Sequence, residues 1–172
     1  MEIRTERLLL RPLGTEYLLS THKYASDIEN TKYMLSLPNE SPDETKAFLT
    51  ACQQEWEKDK PSFYEFAVLK DGVHIGAVSI YLNDSFDTAI LGWILDPEHH
   101  GFGYASEAAE AMIKFAQDNL SVRHFIAHCD SENKASEGVM KKLGLIKTGC
   151  TSGRKNRSSD EERKEYMYEL FL

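Results

Sequence analysis

The sequence predicts an α/β (α+β) fold in which a mixed, mostly antiparallel sheet carries helices on both faces. Between residues 64 and 95, apolar residues recur at every second position and turn residues separate the runs, which is typical of consecutive antiparallel strands. After residue 104, helical patterns alternate with short apolar runs, which indicates strand–helix–strand connections. We expect about seven strands and, since no repeat or linker divides the 172 residues, a single domain over 1–172.

The N-terminal segment predicts one strand followed by helices. Thr5–Leu13 places Leu8 and Leu10 on one face, as a strand does. Residues 15–36 show an irregular helical pattern. The candidate apolar contacts of that pattern are Tyr17, Leu18, Tyr24 and Ile28.

A longer helix is predicted to begin at Ser41–Glu44. This segment combines a serine that can cap a helix, a proline suited to the first helical position and a glutamate placed for a capping box. Phe48, Cys52 and Trp56 follow at intervals of four residues, so we expect them to form one buried stripe.

Three consecutive strands are predicted in the middle of the chain. Tyr64–Leu69 alternates as a half-buried strand does, and Asp71–Gly72 is a strong two-residue hairpin turn. Val73–Leu82 is then the partner strand, and Thr88–Leu95 is a third, largely apolar strand. We expect these three strands to be antiparallel neighbours.

The next elements alternate helix and strand. A helix over Tyr104–Asn119 precedes a strand over Arg123–Cys129, and a helix over Lys134–Leu143 ends at Gly144 as its C-cap.

The last two strands are predicted at Leu145–Gly149 and Glu165–Phe171. The stretch between them, Ser152–Lys164, is polar and without periodicity, which predicts a mobile loop. Its mixed charges favour a solvated linker over a substrate lid.

The composition favours a cytoplasmic protein with small cationic partners. The chain has 20 Lys and Arg against 28 Asp and Glu, a net charge of −8, which argues against direct nucleic-acid binding and favours amines or basic peptides. Three widely spaced cysteines, Cys52, Cys129 and Cys150, indicate a reducing compartment rather than a disulfide framework. We find no signal peptide and no apolar run long enough to span a membrane, and expect no membrane partner.

One segment predicts a phosphate site. A strand that ends near Leu95 leads into a loop with Gly101 and Gly103, which opens directly into a helix. The first N–H groups of a helix are unpaired and favour negative charge, and glycine lets a phosphate approach the backbone. Ser106 stands where a dinucleotide fingerprint has its third glycine, and no Gly-Lys-Ser/Thr follows for a nucleoside-triphosphate loop. On these residues alone, a pyrophosphate cradle and a tight packing loop both remain open.

Four sequence motifs resemble motifs of the GNAT N-acetyltransferases, and they occur in the family's order along the chain and on the expected elements. His100–Ala105 is similar to the acetyl-CoA loop of that family, with histidine in place of the usual Arg or Gln. Thr5–Leu8 with Leu10–Pro12, then Asn133–Ser136 and Lys142–Leu145, are similar to blocks of the RimJ/RimL-like subgroup, which acetylates N-termini of ribosomal proteins. The resemblance covers nearly the whole chain.

The resemblance implies a GNAT fold whose fourth and fifth strands, here Thr88–Leu95 and Arg123–Cys129, splay apart to admit acetyl-CoA as cosubstrate. Asn133 would contact the amides of the cofactor, and Lys134 is placed to meet its ribose phosphate. The implied cofactor-binding residues are Trp93, Ile94, Leu95, His100, Gly101, Phe102, Gly103, Tyr104, Ala105, Ser106 and Asn133.

The resemblance also implies direct attack of a neutral amine on the acetyl thioester. Relatives often carry a glutamate base where this chain has Ile90 and a tyrosine acid where it has Met140, so neither familiar group is present. Positioning, and a backbone N–H near Ile94 or Leu95 as oxyanion donor, would then supply much of the catalysis.

Cys129 and Ser136 are the implied catalytic residues, because both would lie near the thioester and could assist the leaving thiolate. For Cys129, a small buried apolar residue is an equally weighted alternative. Tyr81, Asn83 and Asp84 close a strand near the expected acceptor side and are candidate substrate contacts. The histidines form no ligand cluster, so we expect no metal.

These observations predict an acetyl-CoA-dependent N-acetyltransferase. An α-amine with a pKa of ~8 is about one tenth neutral at pH 7, whereas a lysine side chain with a pKa of ~10.4 is almost wholly protonated. A site without a strong base therefore favours a protein N-terminal α-amine or a small-molecule amine as acceptor. The alternatives are a non-catalytic acyl-CoA-binding module and an unrelated nucleotide-binding domain, and the oligomeric state, monomer or homodimer, stays open.

Overall fold

The computed structural model describes all residues, Met1–Leu172, and contains eight strands and five helices. The strands are β1 Ile3–Arg4, β2 Leu9–Pro12, β3 Phe63–Lys70, β4 Val73–Leu82, β5 Thr88–Leu95, β6 His124–Asp130, β7 Ile146–Lys155 and β8 Glu162–Phe171. The helices are α1 Leu18–Ala25, α2 Ile28–Thr31, α3 Pro42–Trp56, α4 Tyr104–Leu120 and α5 Lys134–Lys142. None of the helices is long and apolar enough to cross a membrane.

All eight strands form one sheet in the order β1-β2-β3-β4-β5-β6-β8-β7, and every pair except β5–β6 is antiparallel. The predicted mixed, mostly antiparallel sheet is therefore confirmed. It has eight strands rather than about seven, because a two-residue strand, Ile3–Arg4, precedes the predicted first strand, of which only Leu9–Pro12 is strand. Ile3–Arg4 pairs with Leu9–Leu10, and the residues between them form the connecting bend.

Local turn and cap chemistry explains the elements that the sequence predicted best. Asp71 and Gly72 both have positive φ, 50° and 79°, which is the conformation of a type I′ hairpin turn between β3 and β4. At the start of α3, the Ser41 side chain accepts a hydrogen bond from the N–H of Glu44. Both predictions are confirmed.

The buried face of α3 differs from the predicted stripe. Leu49 and Cys52 are fully buried and Trp56 is partly buried, but Phe48 is exposed. The helix faces the sheet through Leu49 and Cys52, so Phe48 is turned aside toward an open cleft. The prediction for Phe48 as a core residue was wrong.

The irregular helical segment is two short helices. Tyr24 is buried on α1, as predicted, whereas Ile28 is exposed. Ile28 begins α2 directly after the cap Asp27, whose side chain accepts from the N–H of Asn30, and the first turn of this four-residue helix points outward.

The predicted mobile loop at Ser152–Lys164 is instead mostly strand. β7 continues to Lys155 and β8 begins at Glu162. Because most residues of β7 are exposed, the alternation that marks a half-buried strand is absent. Within the hairpin, the Arg154 guanidinium lies 2.6 Å from Glu165. The same guanidinium donates to the carbonyl of Tyr33 at 2.8 Å, which joins the hairpin to the N-terminal helical segment.

The sheet divides at the parallel pair. β5 and β6 are in register at only three positions, Thr88 to Ile90 against His124 to Ile126, although β5 continues to Leu95. The implied splay between the strands at Thr88–Leu95 and Arg123–Cys129 is therefore present. α4 packs on one face of the sheet, and α1 and α3 pack on the other.

Candidate active site

The free edge of β5 exposes backbone groups where the sheet divides. The N–H of Asn83 donates to the carbonyl of Thr88, and the N–H of Asp96 donates to the carbonyl of Ile75. Since hydrogen-bonded and non-hydrogen-bonded pairs alternate along an antiparallel ladder, Ile94 faces β4, whereas Trp93 and Leu95 face the opening. Of the two predicted oxyanion donors, only the N–H of Leu95 is free.

The hydrogen bonds of the Leu95 carbonyl agree with this orientation, because the N–H and C=O of a strand residue point to the same side. Two side chains approach this carbonyl from the opening between β5 and β6. Asn30 donates its Nδ2–H to this carbonyl at 3.1 Å, and His100 Nε2 lies 3.2 Å from it. His100 thus ties the glycine loop to the end of β5. That contact is a structural use of the histidine that stands at the loop's first motif position.

The glycine loop leaves the N-terminus of α4 without a side-chain cap. Gly101 and Gly103 have φ of 84° and 81°, a region that favours glycine, and Gly103 is the N-cap residue. No side chain of the protein accepts from the first turn, so its N–H groups at Tyr104, Ala105 and Ser106 are available to an anion.

Arg7 and Thr5, from the N-terminal motif, hold this loop from outside. The backbone N–H and Nε of Arg7 donate to the two carboxylate oxygens of Glu107 at 2.8 and 2.7 Å, and its Nη1 donates to the carbonyl of Phe102. The Arg7 guanidinium also lies 4.6 Å from the ring centre of Tyr104. Thr5 Oγ1 donates to Glu107 at 2.6 Å. The motif therefore fixes the position of the uncapped helix terminus.

A cleft of about 460 Å³ runs along this terminus and the free edge of β5. Its lining includes all but one of the predicted cofactor-binding residues. These are Trp93, Ile94, Leu95, His100, Gly101, Gly103, Tyr104, Ala105, Ser106 and Asn133. Phe102 does not line the cleft; it is exposed and stacks on Tyr104 with 5.6 Å between ring centres.

The two lysines near this cleft have different surroundings. Lys134, predicted to meet the ribose phosphate, does not line the cleft, and its Nζ lies 3.2 Å from the Glu137 carboxylate. Lys142 lines the cleft, forms no ion pair and lies so close to Gly103 that a Cβ there would be 3.3 Å from its Nζ. Lys142, rather than the predicted Lys134, is therefore the lysine available to a phosphate at this loop.

A second cleft of about 640 Å³ continues from the first across Trp93, Ile94, Asn133 and Ser136, which line both. Cys129 and Ser136, the two predicted catalytic residues, both line it. The Trp93 Nε1–H donates to Ser136 Oγ at 3.1 Å, and the N–H of Ser136 donates to Asn133 Oδ1. Because Ser136 Oγ accepts from Trp93, its own hydrogen is free to donate into the cleft.

Cys129 is chemically less suited to proton transfer than its sequence position indicated. It is buried, and burial raises the pKa of its thiol to about 11, with Glu137 adding to the shift. The prediction of proton donation depended on a pKa of about 8.5.

At the two positions where relatives carry a catalytic base and acid, Ile90 is exposed in the cleft, whereas Met140 is buried in the core.

The second cleft contains a carboxylate that the sequence analysis missed. Glu65 is buried on β3, lines the cleft and accepts a hydrogen bond from Tyr81 Oη at 2.7 Å. Burial raises the pKa of Glu65 to about 7, against the opposing effect of the Tyr81 and Ser79 hydroxyls. A charged residue inside an otherwise apolar strand was the available signal, but the alternating pattern made Glu65 look solvent-facing.

Of the three candidate substrate contacts, only Tyr81 lies in the cleft. Asn83 and Asp84 do not line it. The Asn83 side chain instead accepts from the N–H groups of Asp87 and Thr88 and so closes the turn between β4 and β5.

The free strand edge, the glycine loop and the joined clefts match a known family. The family model for the acetyltransferase (GNAT) domain matches residues 7–146. An uncharacterized N-acetyltransferase of Bacillus subtilis, YnaD, is 30% identical over 151 residues, which cover 87% of this chain and 85% of that protein.

Two solved structures have the same fold. A GNAT-family acetyltransferase from Bacillus anthracis superposes with a TM-score of 0.84 at 27% identity, over 99% of this chain and 98% of that chain. RimL, a ribosomal L7/L12 α-N-protein acetyltransferase in complex with coenzyme A, superposes with a TM-score of 0.86 at 19% identity, over 100% and 98%. With its family match, its relative and its divided sheet in agreement, the chain belongs to the GNAT acetyltransferase family.

Proposed function

We propose that this acetyltransferase transfers the acetyl group of acetyl-CoA to a primary amine, either a protein N-terminal α-amine or a small-molecule amine. The observation that carries the proposal is one continuous cleft that joins the uncapped terminus of α4, the free edge of β5 and a second chamber large enough for an acceptor. The likeness to RimL, an α-N-protein acetyltransferase, supports the α-amine.

The residues of the first cleft fit acetyl-CoA. Gly101 and Gly103 and the N–H groups that follow would hold the pyrophosphate, and Lys142 would add a positive charge. Asn133 uses its Oδ1 as the cap of α5, but its Nδ2 makes no hydrogen bond within the chain and can donate to an amide carbonyl. When bound, acetyl-CoA supplies an acetyl thioester, an activated acyl group with a good leaving group.

The protein's part in the reaction is positioning and hydrogen bonding. The N–H of Leu95 faces the division of the sheet and would donate to the carbonyl oxygen as negative charge develops there. As the C–N bond forms and the C–S bond breaks, the Ser136 hydroxyl, held by Trp93, would donate a hydrogen bond to the leaving thiolate, and the proton lost by the attacking nitrogen would pass to solvent. Neither role requires a strong base, which agrees with an acceptor amine that is partly neutral at pH 7.

Replacement of Ser136 by alanine is expected to lower kcat about 10- to 100-fold, at or below the lower part of the usual range for general acid catalysis, because a thiolate leaves readily without help. The KM for acetyl-CoA should change little. Ser152→Ala, on the exposed β7, is the matched control. Steady-state kinetics at saturating acetyl-CoA measures the effect, and equal kcat in both variants would remove Ser136 from the mechanism.

Cys129→Ala is expected to act mainly on stability. The thiol is buried and its pKa is raised, so its removal leaves a small cavity rather than a missing acid. Measurement of kcat and Tm on the same preparation separates the two roles. A lower Tm is the expected result, whereas a lower kcat at an unchanged Tm would establish the thiol as a proton donor.

Arg7→Ala is expected to weaken acetyl-CoA binding about 10-fold, because the Arg7 side chain no longer holds the carbonyl of Phe102 in the glycine loop or the carboxylate of Glu107. Arg4→Ala is the control, since Arg4 is exposed and pairs only with Glu2. Titration calorimetry with acetyl-CoA compares the two variants. Equal affinities would show that the N-terminal motif does not position the loop.

Coenzyme A release in the presence of different amines tests the proposed function itself. The panel consists of N-terminal peptides, polyamines and aminoglycosides, with the acetylated product identified by mass. Release that depends on one acceptor class supports the proposal. Binding of acetyl-CoA without release by any amine would instead identify a non-catalytic acyl-CoA-binding module.

A further inference from the structure

Glu65 is the one buried carboxylate that has no cationic partner in the protein. Five Asp or Glu residues are buried, and four of them form ion pairs. Those pairs are Glu55–Lys58, Asp96–Lys23, Asp130–Arg163 and Glu137–Lys134. Buried carboxylates in proteins are normally paired, because an unpaired charge loses its hydration without compensation. Glu65 therefore lacks the cationic partner that the other four have, and a cationic ligand could supply it.

Two further polar groups beside Glu65 lack partners. Thr21 and Tyr24, one turn apart on α1, are each 2% exposed and line the same cleft as Glu65. Thr21 Oγ1 and Tyr24 Oη are the only buried side-chain oxygen or nitrogen atoms in the chain without a hydrogen bond. Buried hydroxyls are nearly always hydrogen-bonded in folded proteins. A carboxylate and two unpaired hydroxyls thus meet in one chamber.

The basic side chains that line the same cleft do not neutralise this chamber. Arg154 and His128 line the cleft, but both contact the Glu165 carboxylate. Arg154 Nη1 lies 2.6 Å and His128 Nδ1 lies 3.6 Å from its oxygens. Glu44 is held by Arg157. When Glu65 is ionised, no cationic side chain of the protein therefore offsets its charge.

The sheet register fixes how far this chamber lies from the reaction. Glu65 is opposite Ser79, and Ser79 is opposite Gly92 on β5, so Glu65 lies two strands, roughly 10 Å, from the strand beside the thioester. That distance is too long for direct proton transfer from the reacting amine. A Cβ on Gly92 would lie 2.7 Å from Ser79 Oγ, and its absence keeps the path between the two points open.

We infer that Glu65, with Tyr81 and the unpaired hydroxyls of Thr21 and Tyr24, binds a second cationic group of the acceptor, and that the acceptor is a diamine. This inference rests on the proposed function, since it assigns the acceptor class of the same site. The two nitrogens would lie on the order of 7–10 Å apart, which a chain of about six to eight bonds spans. Because Glu65 is buried, the second group is the end of a chain rather than its middle.

The first experiment compares α,ω-diamines with monoamines of equal length, from butyl to octyl, by coenzyme A release at about pH 9, where more of each alkylamine is neutral than at pH 7 and the second amino group is still largely charged. For the wild type, we expect a kcat/KM ratio of diamine to monoamine of about 10 to 50, with its maximum near diaminohexane. Glu65→Gln should bring this ratio close to one through KM. Glu110→Gln, an exposed glutamate on α4, is the matched control and should retain the ratio.

Tyr24→Phe provides a second test that does not alter charge. The Tyr24 hydroxyl has no partner within the protein, so its removal should leave Tm unchanged or higher. We expect the KM for the best diamine to rise about 3- to 10-fold.

Peptides that begin with lysine or norleucine reveal whether the second amine can also come from a peptide side chain.

The results separate the possible roles of Glu65. An equal fall in kcat for monoamines and diamines in Glu65→Gln would overturn the inference in favour of a proton-transfer role. A wild type without a diamine preference would overturn it as well. If no amine is acetylated, the proposed function fails, but calorimetry of diaminohexane with the coenzyme A-loaded protein still decides the inference. Binding that Glu65→Gln weakens at least 10-fold would support it, and binding that is absent or unchanged would overturn it.

Discussion

Replacement of Gly103 by valine is expected to abolish acetyl-CoA binding, with an increase in Kd of at least about 1000-fold, or about 4 kcal/mol. Gly103 is the N-cap of α4 and has a φ of 81°, where a β-branched residue is strained by roughly 1–3 kcal/mol. Its Cβ would also lie 3.3 Å from Lys142 Nζ and 3.5 Å from Arg7 Nη2. The substitution therefore blocks the approach of a pyrophosphate and displaces both cations near it.

Gly72→Val separates loss of binding from backbone strain. Gly72 has almost the same φ, 79°, but it lies in the β3–β4 hairpin turn, and nothing lies within 4 Å of a Cβ built there. Both variants should lose similar stability in urea titrations, and only Gly103→Val should lose acetyl-CoA in calorimetry. A folded Gly103→Val protein with normal affinity would show that the glycine loop does not bind the cofactor.

The elements predicted correctly from the sequence are those determined by local chemistry. The Asp71–Gly72 turn, the Ser41 cap and the glycine loop before α4 each depend on a few adjacent residues. The outer part of the β7–β8 hairpin, residues 152–155 and 162–164, was missed because its side chains are mostly exposed and it is held by distant polar partners, such as Arg154 with the carbonyl of Tyr33. Alternating hydrophobicity arises when one face of a strand is buried, so a segment that is exposed on both faces shows no alternation.

The two clefts of the candidate site differ in the same way, because the first is formed mainly by residues close in sequence and the second by residues far apart. Most of the predicted residues of the first cleft lie between 93 and 106 and were predicted together; Phe102 was predicted with them but does not line the cleft, and Lys142 lines it without having been predicted. The second chamber is assembled from α1, β3 and β4, so its members are far apart in sequence. Glu65 is a charged residue at an inward-facing strand position, and only the packing of α1 and α3 against the sheet shows that it is buried.

Glu65→Gln is expected to stabilise the protein at neutral and higher pH, and little at pH 4.5. The Glu65 pKa is raised by burial to about 7, against an ordinary value of 4.5. Between these two pH values the unfolded chain has released the proton while the folded protein still holds it, so this group makes stability fall as pH rises. Below pH 4.5 both states are protonated, and above pH 7 both are ionised and the penalty is constant.

The size of the effect follows from the two pKa values: the shift corresponds to at most about 3 kcal/mol in the free energy of unfolding. Other groups also titrate in this range, so the measured quantity is the difference between Glu65→Gln and wild type in urea unfolding at a series of pH values. That difference should grow from pH 4.5 to pH 7 and then level off, whereas Glu110→Gln should show no such growth. Parallel stability curves for Glu65→Gln and wild type would mean that Glu65 is hydrated or paired in solution, and the second chamber would then lack the unpaired carboxylate on which its recognition of a cation depends.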